Sequence, residues 1–153
     1  MDDIIPIRKP EIIGEAGGLV DESRLTLAIY GDELDPDEIS RILGCAPTRA
    51  RRRGDARRSG PPWPQGAWLF SVEGKSPTGP EELVHLLLAG LPSDSGVWRD
   101  LRTRFKVVLL FGIFIDRWNR GFELTPEVIF RISSLGCEVG FDIYADAETT
   151  ADG

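Results

Sequence analysis

Two segments of this chain share one design: Leu34-Asp-Pro-Asp-Glu-Ile-Ser-Arg-Ile-Leu-Gly-Cys45 and Leu124-Thr-Pro-Glu-Val-Ile-Phe-Arg-Ile-Ser-Ser-Leu-Gly-Cys137. Each reads as a short helix. Asp35 and Thr125 can accept from the free N–H groups of the first turn. Pro36 and Pro126 stand at the first helical position, where a missing N–H costs nothing. Glu38, three residues after Asp35, makes the first copy an aspartate version of a capping box. Gly44 stops the first helix, and the second runs to about Leu135.

The flanking segments extend the repeat. Leu25-Thr-Leu-Ala-Ile-Tyr30 alternates apolar and polar with period two and ends at Gly31, which marks a strand. Ala67-Trp-Leu-Phe-Ser-Val72 reads as a second strand. Lys106 to Ile115 is the most apolar strand, and Cys137 to Tyr144 the last. Two strand–helix–strand units result, joined by a helix over Pro80 to Leu91 and a turn or two over Gly96 to Arg104. The expected architecture is α+β, a ferredoxin-like two-layer sandwich built from two βαβ repeats with extra helix between them. Its sheet would be antiparallel, with the first and third strands central. A mixed α/β arrangement, with the joining helix over a sheet edge, is the alternative. Residues 1–22 read as an acidic arm or linker, 23–145 as a single domain, and 146–153 as a frayed tail.

In that scheme Cys45 and Cys137 fall at the entries of opposite edge strands, about 14 Å apart. Bridging requires Cα atoms within roughly 7 Å, so both thiols are expected to be free and mostly buried. Two unpaired cysteines favour a reducing compartment, with the cytoplasm as default. The longest apolar run, Val107 to Ile115, is too short to span a bilayer, which takes about 20 residues as a helix, and no membrane association is expected.

Chemistry-bearing patterns are sparse. His85 is the single histidine, placed on a helix surface or boundary. Gly31-Asp-Glu-Leu-Asp-Pro-Asp-Glu38 lacks the ligand spacing of a calcium loop, and capping already employs Asp35 and Glu38. No phosphate-cradling glycine loop or nucleophile elbow occurs, so neither metal nor cofactor is expected. On the last strand, Glu138, Gly140, Asp142 and Tyr144 share one face, and Cys137, Val139, Phe141 and Ile143 the other. The apolar set should face the core. The polar set, with Thr26, Ala28 and Tyr30, should form an open sheet face, and Tyr30, Asp142 and Tyr144 become candidate binding residues. Trp63, Trp98 and Trp118 fall in or beside loops, where aromatics near arginines suit interfaces. Trp63 and Trp118 join the candidates, while Trp68 belongs to a strand and to the core.

Charge is uneven. The net −7 includes six arginines and one aspartate between Arg49 and Arg58, so the remainder carries −12. The loop could hook nucleic acid, dock a protein, or lie ion-paired against the acidic body. Arg51 and Arg53 are its candidate contacts, and Asp55 the residue that shapes it by bonding the backbone locally. A pI of about 4.8 argues against nucleic acid as the partner.

Leu25-x-Leu-x-Ile29-x-Gly31, Leu34-Asp35-Pro36-x-Glu38-Ile39, Leu43-Gly44, Pro47-Thr48, Gly54-Asp55, Trp68 and Phe141-Asp142-Ile143-Tyr144 together resemble a bacterial family known as a domain of unknown function. The resemblance spans about residues 24–145 and implies a small stand-alone bacterial protein. It carries no catalytic residues to transfer. The arginine filling and the longer N-terminal arm depart from it. The leading expectation is a non-enzymatic binding module, monomeric or homodimeric, recognising a protein or small ligand. An immunity- or antitoxin-like partner of a basic protein is its concrete version. Alternatives are nucleic-acid binding through Arg49–Arg58, or a small enzyme if Tyr30, Asp55 and Asp142 converge.

Overall fold

The computed structural model describes residues 18–116 and 119–145. The elements run β1 (Gly18–Leu19), β2 (Glu22–Gly31), α1 (Pro36–Leu43), β3 (Arg49–Arg51), β4 (Gly66–Lys75), α2 (Pro80–Ala89), α3 (Ser95–Arg104), β5 (Lys106–Ile115), β6 (Arg120–Gly121), α4 (Pro126–Leu135) and β7 (Glu138–Ala145). A five-stranded sheet has the order β3-β4-β2-β5-β7, and β1 and β6 form a small parallel pair. The fold is mixed α+β.

Helix ends follow the chemistry read from the repeat. Asp35 accepts from the Asp37 N–H at 3.0 Å, and Thr125 Oγ1 from the Val128 N–H at 3.4 Å. Gly44 (φ 72°) and Gly136 (φ 62°) close α1 and α4 in the left-handed region, where a side chain is strained. Glu38 takes a different role from the expected box: it pairs with Arg104, tying α1 to α3.

The sheet departs from two equivalent repeats and from a purely antiparallel order. The arginine segment supplies a strand of its own, so the crossover through α1 runs to β3, and β3 turns back as a hairpin into β4. β4 and β5 then occupy the two sides of β2, both antiparallel. The last strand finds β2 filled on both sides and pairs with β5 instead, in parallel. That placement is the short βαβ crossover through α4.

One face of the sheet meets the helices. Leu25, Leu27 and Ile29 of β2, Trp68 of β4, and Leu109, Phe111 and Ile113 of β5 are buried with Ile39 and Leu43 of α1. Leu83, Val84 and Leu87 of α2, Trp98 and Leu101 of α3, and Val128, Ile132 and Leu135 of α4 complete the same core. Trp68 is fully buried and its indole N–H donates to Ser40 Oγ at 3.1 Å, locking α1 to the sheet. Trp98, grouped above with the loop aromatics, is also a core residue; its N–H donates to the Pro92 carbonyl at 2.9 Å.

The acidic arm assigned to 1–22 includes structured residues at its end. Val20 is buried, and Asp21 accepts the Asp116 N–H at 2.8 Å, which holds its carboxyl below the usual range. Cys45 and Cys137 are free and half-buried rather than mostly buried. They precede β3 and β7, the two edges of the sheet, separated by four strand spacings or about 19 Å.

Two measurements check this packing. Trp68→Ala should lower stability by about 3–5 kcal/mol in denaturant unfolding, since it removes a full aromatic side chain and leaves a cavity. Burial pushes both thiols above their ordinary value, so the reactive thiolate appears only at higher pH. Ellman's reagent at pH 8 should react more slowly with the folded chain than with the unfolded one, and reduction should leave the intact mass unchanged.

Candidate functional site

The second face of the sheet carries no helix among the described residues. Register pairs set out its rows across β4, β2, β5 and β7. Glu73, Arg24, Gly112 and Asp142 form one row, and Ser71, Thr26, Leu110 and Gly140 the next. Leu69, Ala28, Val108 and Glu138 follow, with Arg49 beside Leu69, and then Ala67, Tyr30 and Lys106, with Arg51 beside Ala67. The floor is small or flat: Ala28, Ala67 and Val108 are buried by their neighbours. Charges rim it. Arg24 pairs with Glu73 at 3.1 Å and Lys106 with Glu138 at 3.8 Å. Thr26 Oγ1 and Ser71 Oγ lie 2.7 Å apart.

Two depressions open on this face. One of about 320 Å³ lies between Arg24, Thr26, Thr48, Arg49, Ser71 and Glu73, at the point where β3 ends. The other, about 310 Å³, is lined by Tyr30, Lys106, Leu110, Glu138 and Gly140.

The arginine hairpin borders the first depression. Thr48 extends the ladder past β3: its N–H donates to the Leu69 carbonyl at 2.7 Å and its Oγ1 accepts from the Ser71 N–H at 2.9 Å. Asp55 shapes the turn as the sequence implies, accepting from the Arg52 N–H at 2.7 Å while its own N–H donates to the Arg52 carbonyl at 3.1 Å. Asp55 and Gly54 also bond Trp63 through the backbone, at 2.9 and 2.8 Å. The half-buried Trp63 ring is held between two guanidinium groups, Arg51 at 3.7 Å and Arg57 at 4.0 Å from its centroid. Burial lowers Arg51 from its ordinary value, with Arg57 and Arg49 adding repulsion.

The other arginines turn to carboxylates. Arg52 contacts Asp35 at 2.8 Å and Asp37 at 3.0 Å, so the hairpin is pinned to the N-terminus of α1. Arg53 approaches Glu33 at 3.9 Å. This is the ion-paired loop lying on the acidic body. Asp35 is held below the usual carboxylate range first by the Asp37 N–H, and further by Arg52.

Of the candidate residues, Tyr30, Asp142 and Tyr144 share the uncovered face, as the alternation implied. They do not converge. Tyr30 lies three rows from Asp142, about 20 Å along the strands. Tyr144 is stacked on Phe114, with centroids 4.9 Å apart, one row beyond Asp142. Asp55 is engaged in its turn at the hairpin, so the trio that an enzyme reading needed is not assembled. Arg51 and Trp63 meet each other, Arg53 stays on the outside of the hairpin, and Trp118 lies outside the described residues. His85 is half-buried on α2, its Nδ1 accepting from Arg131 at 2.7 Å. Among the described residues no cluster of three metal-ligating side chains occurs and no helix is long and apolar enough to cross a membrane.

Sequence reasoning missed Arg24, Glu73, Ser71, Thr48, Arg49 and Lys106 as members of the face. Alternation along β4 carried the signal for Ser71 and Glu73; bringing them beside Arg24 and Thr48 required the strand register.

These features define an α+β domain with one uncovered sheet face and an arginine hairpin at its border. The chain belongs to the family described as Domain of unknown function (DUF4279), whose model matches residues 21–146. No curated protein and no solved structure gives a significant match.

The hydrogen-bond order at Asp35 yields a test by carboxyl NMR titration. Arg52→Ala should raise the Asp35 pKa only part of the way to its ordinary value, because the Asp37 N–H remains. A depressed carboxyl stabilises the fold above its unfolded pKa, and that contribution disappears as pH falls through the folded value. The acid limb of a stability–pH curve should therefore move to higher pH in this variant.

Proposed function

We propose that this domain is a non-enzymatic binding module whose partner is a protein, engaged through the uncovered sheet face. One observation carries the reading: among the described residues a five-stranded sheet leaves a whole face without a helix, with a small-residue floor and a charged rim. The two depressions are shallow. A small molecule in either would keep much of its water, whereas ligand sites bury about 70–90% of their occupant. A polypeptide laid across both would cover the floor and meet Arg49 at one side and Lys106 and Glu138 at the other.

Charge narrows the partner. The −12 carried outside residues 49–58 favours a basic surface and speeds its approach. An immunity- or antitoxin-like role fits that chemistry, and two free thiols fit a reducing compartment such as the cytoplasm. The segment β2-α1-β3-β4-α2-β5 is read as a ferredoxin-like unit, with α4 and β7 as an addition. Nucleic acid is disfavoured because four of the arginines are already engaged by Trp63, Asp35, Asp37 and Glu33.

The test is affinity capture from the native host, followed by binding measurement with the recovered partner. Arg49→Glu combined with Leu110→Arg should weaken binding by about tenfold or more, while Leu86→Glu on α2 should leave it unchanged. A partner bound equally well by the face variant, or no partner retained by the parent chain, would overturn the reading.

A further inference from the structure

Among the described residues β7 is one edge of the sheet, and its exposure is unusual for an apolar strand. Val139 is 40%, Phe141 50%, Ile143 64% and Tyr144 53% exposed. Val139, Phe141 and Ile143 point to the same side as the core residues Leu109, Phe111 and Ile113, with which they are in register. They were expected in the core, but α4 packs toward α2 and α3 and leaves them uncovered. Arg131 reaches His85 on α2, so Ile129, about 160° round the helix from it, lies on the flank away from α2. Ile129 and Phe130 are 53% and 74% exposed. Phe141 is kept in place by stacking on Phe111, at 5.1 Å between centroids, and leaning on Phe122 at 6.2 Å.

Long apolar edges are normally blunted by lysine, proline or a bulge, because their free N–H and C=O groups recruit another strand. β7 has no lysine, proline or bulge, and its two charges, Glu138 and Asp142, both lie on the side of the uncovered face. We propose that β7 is a self-association edge, pairing antiparallel with β7 of a second copy to join two sheets across a two-fold axis at Phe141.

The charges select this register. Centred on Phe141, the helix-side pairs are Phe141 with its own copy and Val139 with Ile143. On the other side Gly140 faces Asp142 and Glu138 faces Tyr144, and no two like charges are opposed. A shift centred on Gly140 sets Glu138 against Asp142 twice, and one centred on Asp142 sets it against itself. Directly opposed like charges destabilise a strand pair. An eight-residue edge is about 27 Å long. Its four exposed apolar side chains, with Ile129 on the flank of α4, line that edge.

Sedimentation equilibrium of the full chain, with circular dichroism to verify folding, tests the proposal. The parent should dimerise at tens of micromolar, Ile143→Lys should weaken the dimer about tenfold or more, and Leu86→Lys on α2 should not. Register is read separately in a Cys45→Ser, Cys137→Ser background. Val139→Cys with Ile143→Cys should cross-link two chains under a mild oxidant, whereas Glu138→Cys with Asp142→Cys should not. A parent that stays monomeric, a dimer untouched by Ile143→Lys, or cross-linking only through Glu138 and Asp142 would each overturn it. So would a monomer whose outward β7 amides resist hydrogen exchange, since the chain itself would then cover the edge.

Discussion

Both sides of β2 are filled along nearly its whole length, by β4 from Gly66 to Lys75 and by β5 from Lys106 to Phe114. Its alternation does the rest. Leu25, Leu27 and Ile29 turn to the helices and are fully buried, while Arg24, Thr26 and Tyr30 turn to the uncovered face. Once the centre is occupied in this way, every later strand must go to an edge. A one-residue slip would exchange the two faces and expose the core, so the register of β2 also determines which residues the uncovered face can present.

The arginine hairpin follows from the same constraint. With both sides of β2 taken, the chain leaving α1 adds its strand at an edge, and three residues do so outside β4. The hairpin is then held by short-range polar chemistry in place of a core: Asp55 on its turn, Arg52 on the α1 N-terminus, and Trp63 between two guanidinium groups. Exposed ion pairs of this kind contribute little singly, about 0–1 kcal/mol. Cation–π contacts at partly exposed sites are of similar size, about 0.5–2 kcal/mol. Their combined effect is orientational, holding Arg49 at the rim of the face while Arg51 and Arg57 pack on Trp63 and Arg52 and Arg53 turn toward carboxylates.

Much of this was legible because it is local. Caps at Asp35 and Thr125, the glycine stop at 44, the turn role of Asp55 and the alternation along β7 depend on neighbours within a few residues. The exposure of the apolar side of β7, expected in the core, depends instead on where α4 packs. Strand order was not legible, because it turned on β3, a three-residue strand exposed on both faces and too short to show a period. Glu38 was misread for a related reason. Its capping role is local, but Arg104 lies sixty-six positions away in sequence, and the ion pair exists only after α3 docks. Trp98 likewise sits beside a loop in sequence and reaches the core through tertiary packing.

The two edges of the sheet are built on opposite principles. At β3 the edge is short, flanked by arginines, and its neighbour strand is partly capped by the Thr48 side chain, which suits an edge that stays unpaired in solution. At β7 the edge is long, without lysine or proline, and backed by a row of aromatics, Phe122, Phe111 and Phe141. Stacking fixes the Phe141 ring before any partner arrives, so pairing there would cost little side-chain entropy. A sheet guarded at one edge and preorganised at the other can join a second copy only once, giving a closed pair and no filament. In such a pair two uncovered faces would lie side by side on one continuous sheet, doubling the surface that the proposed protein partner could meet.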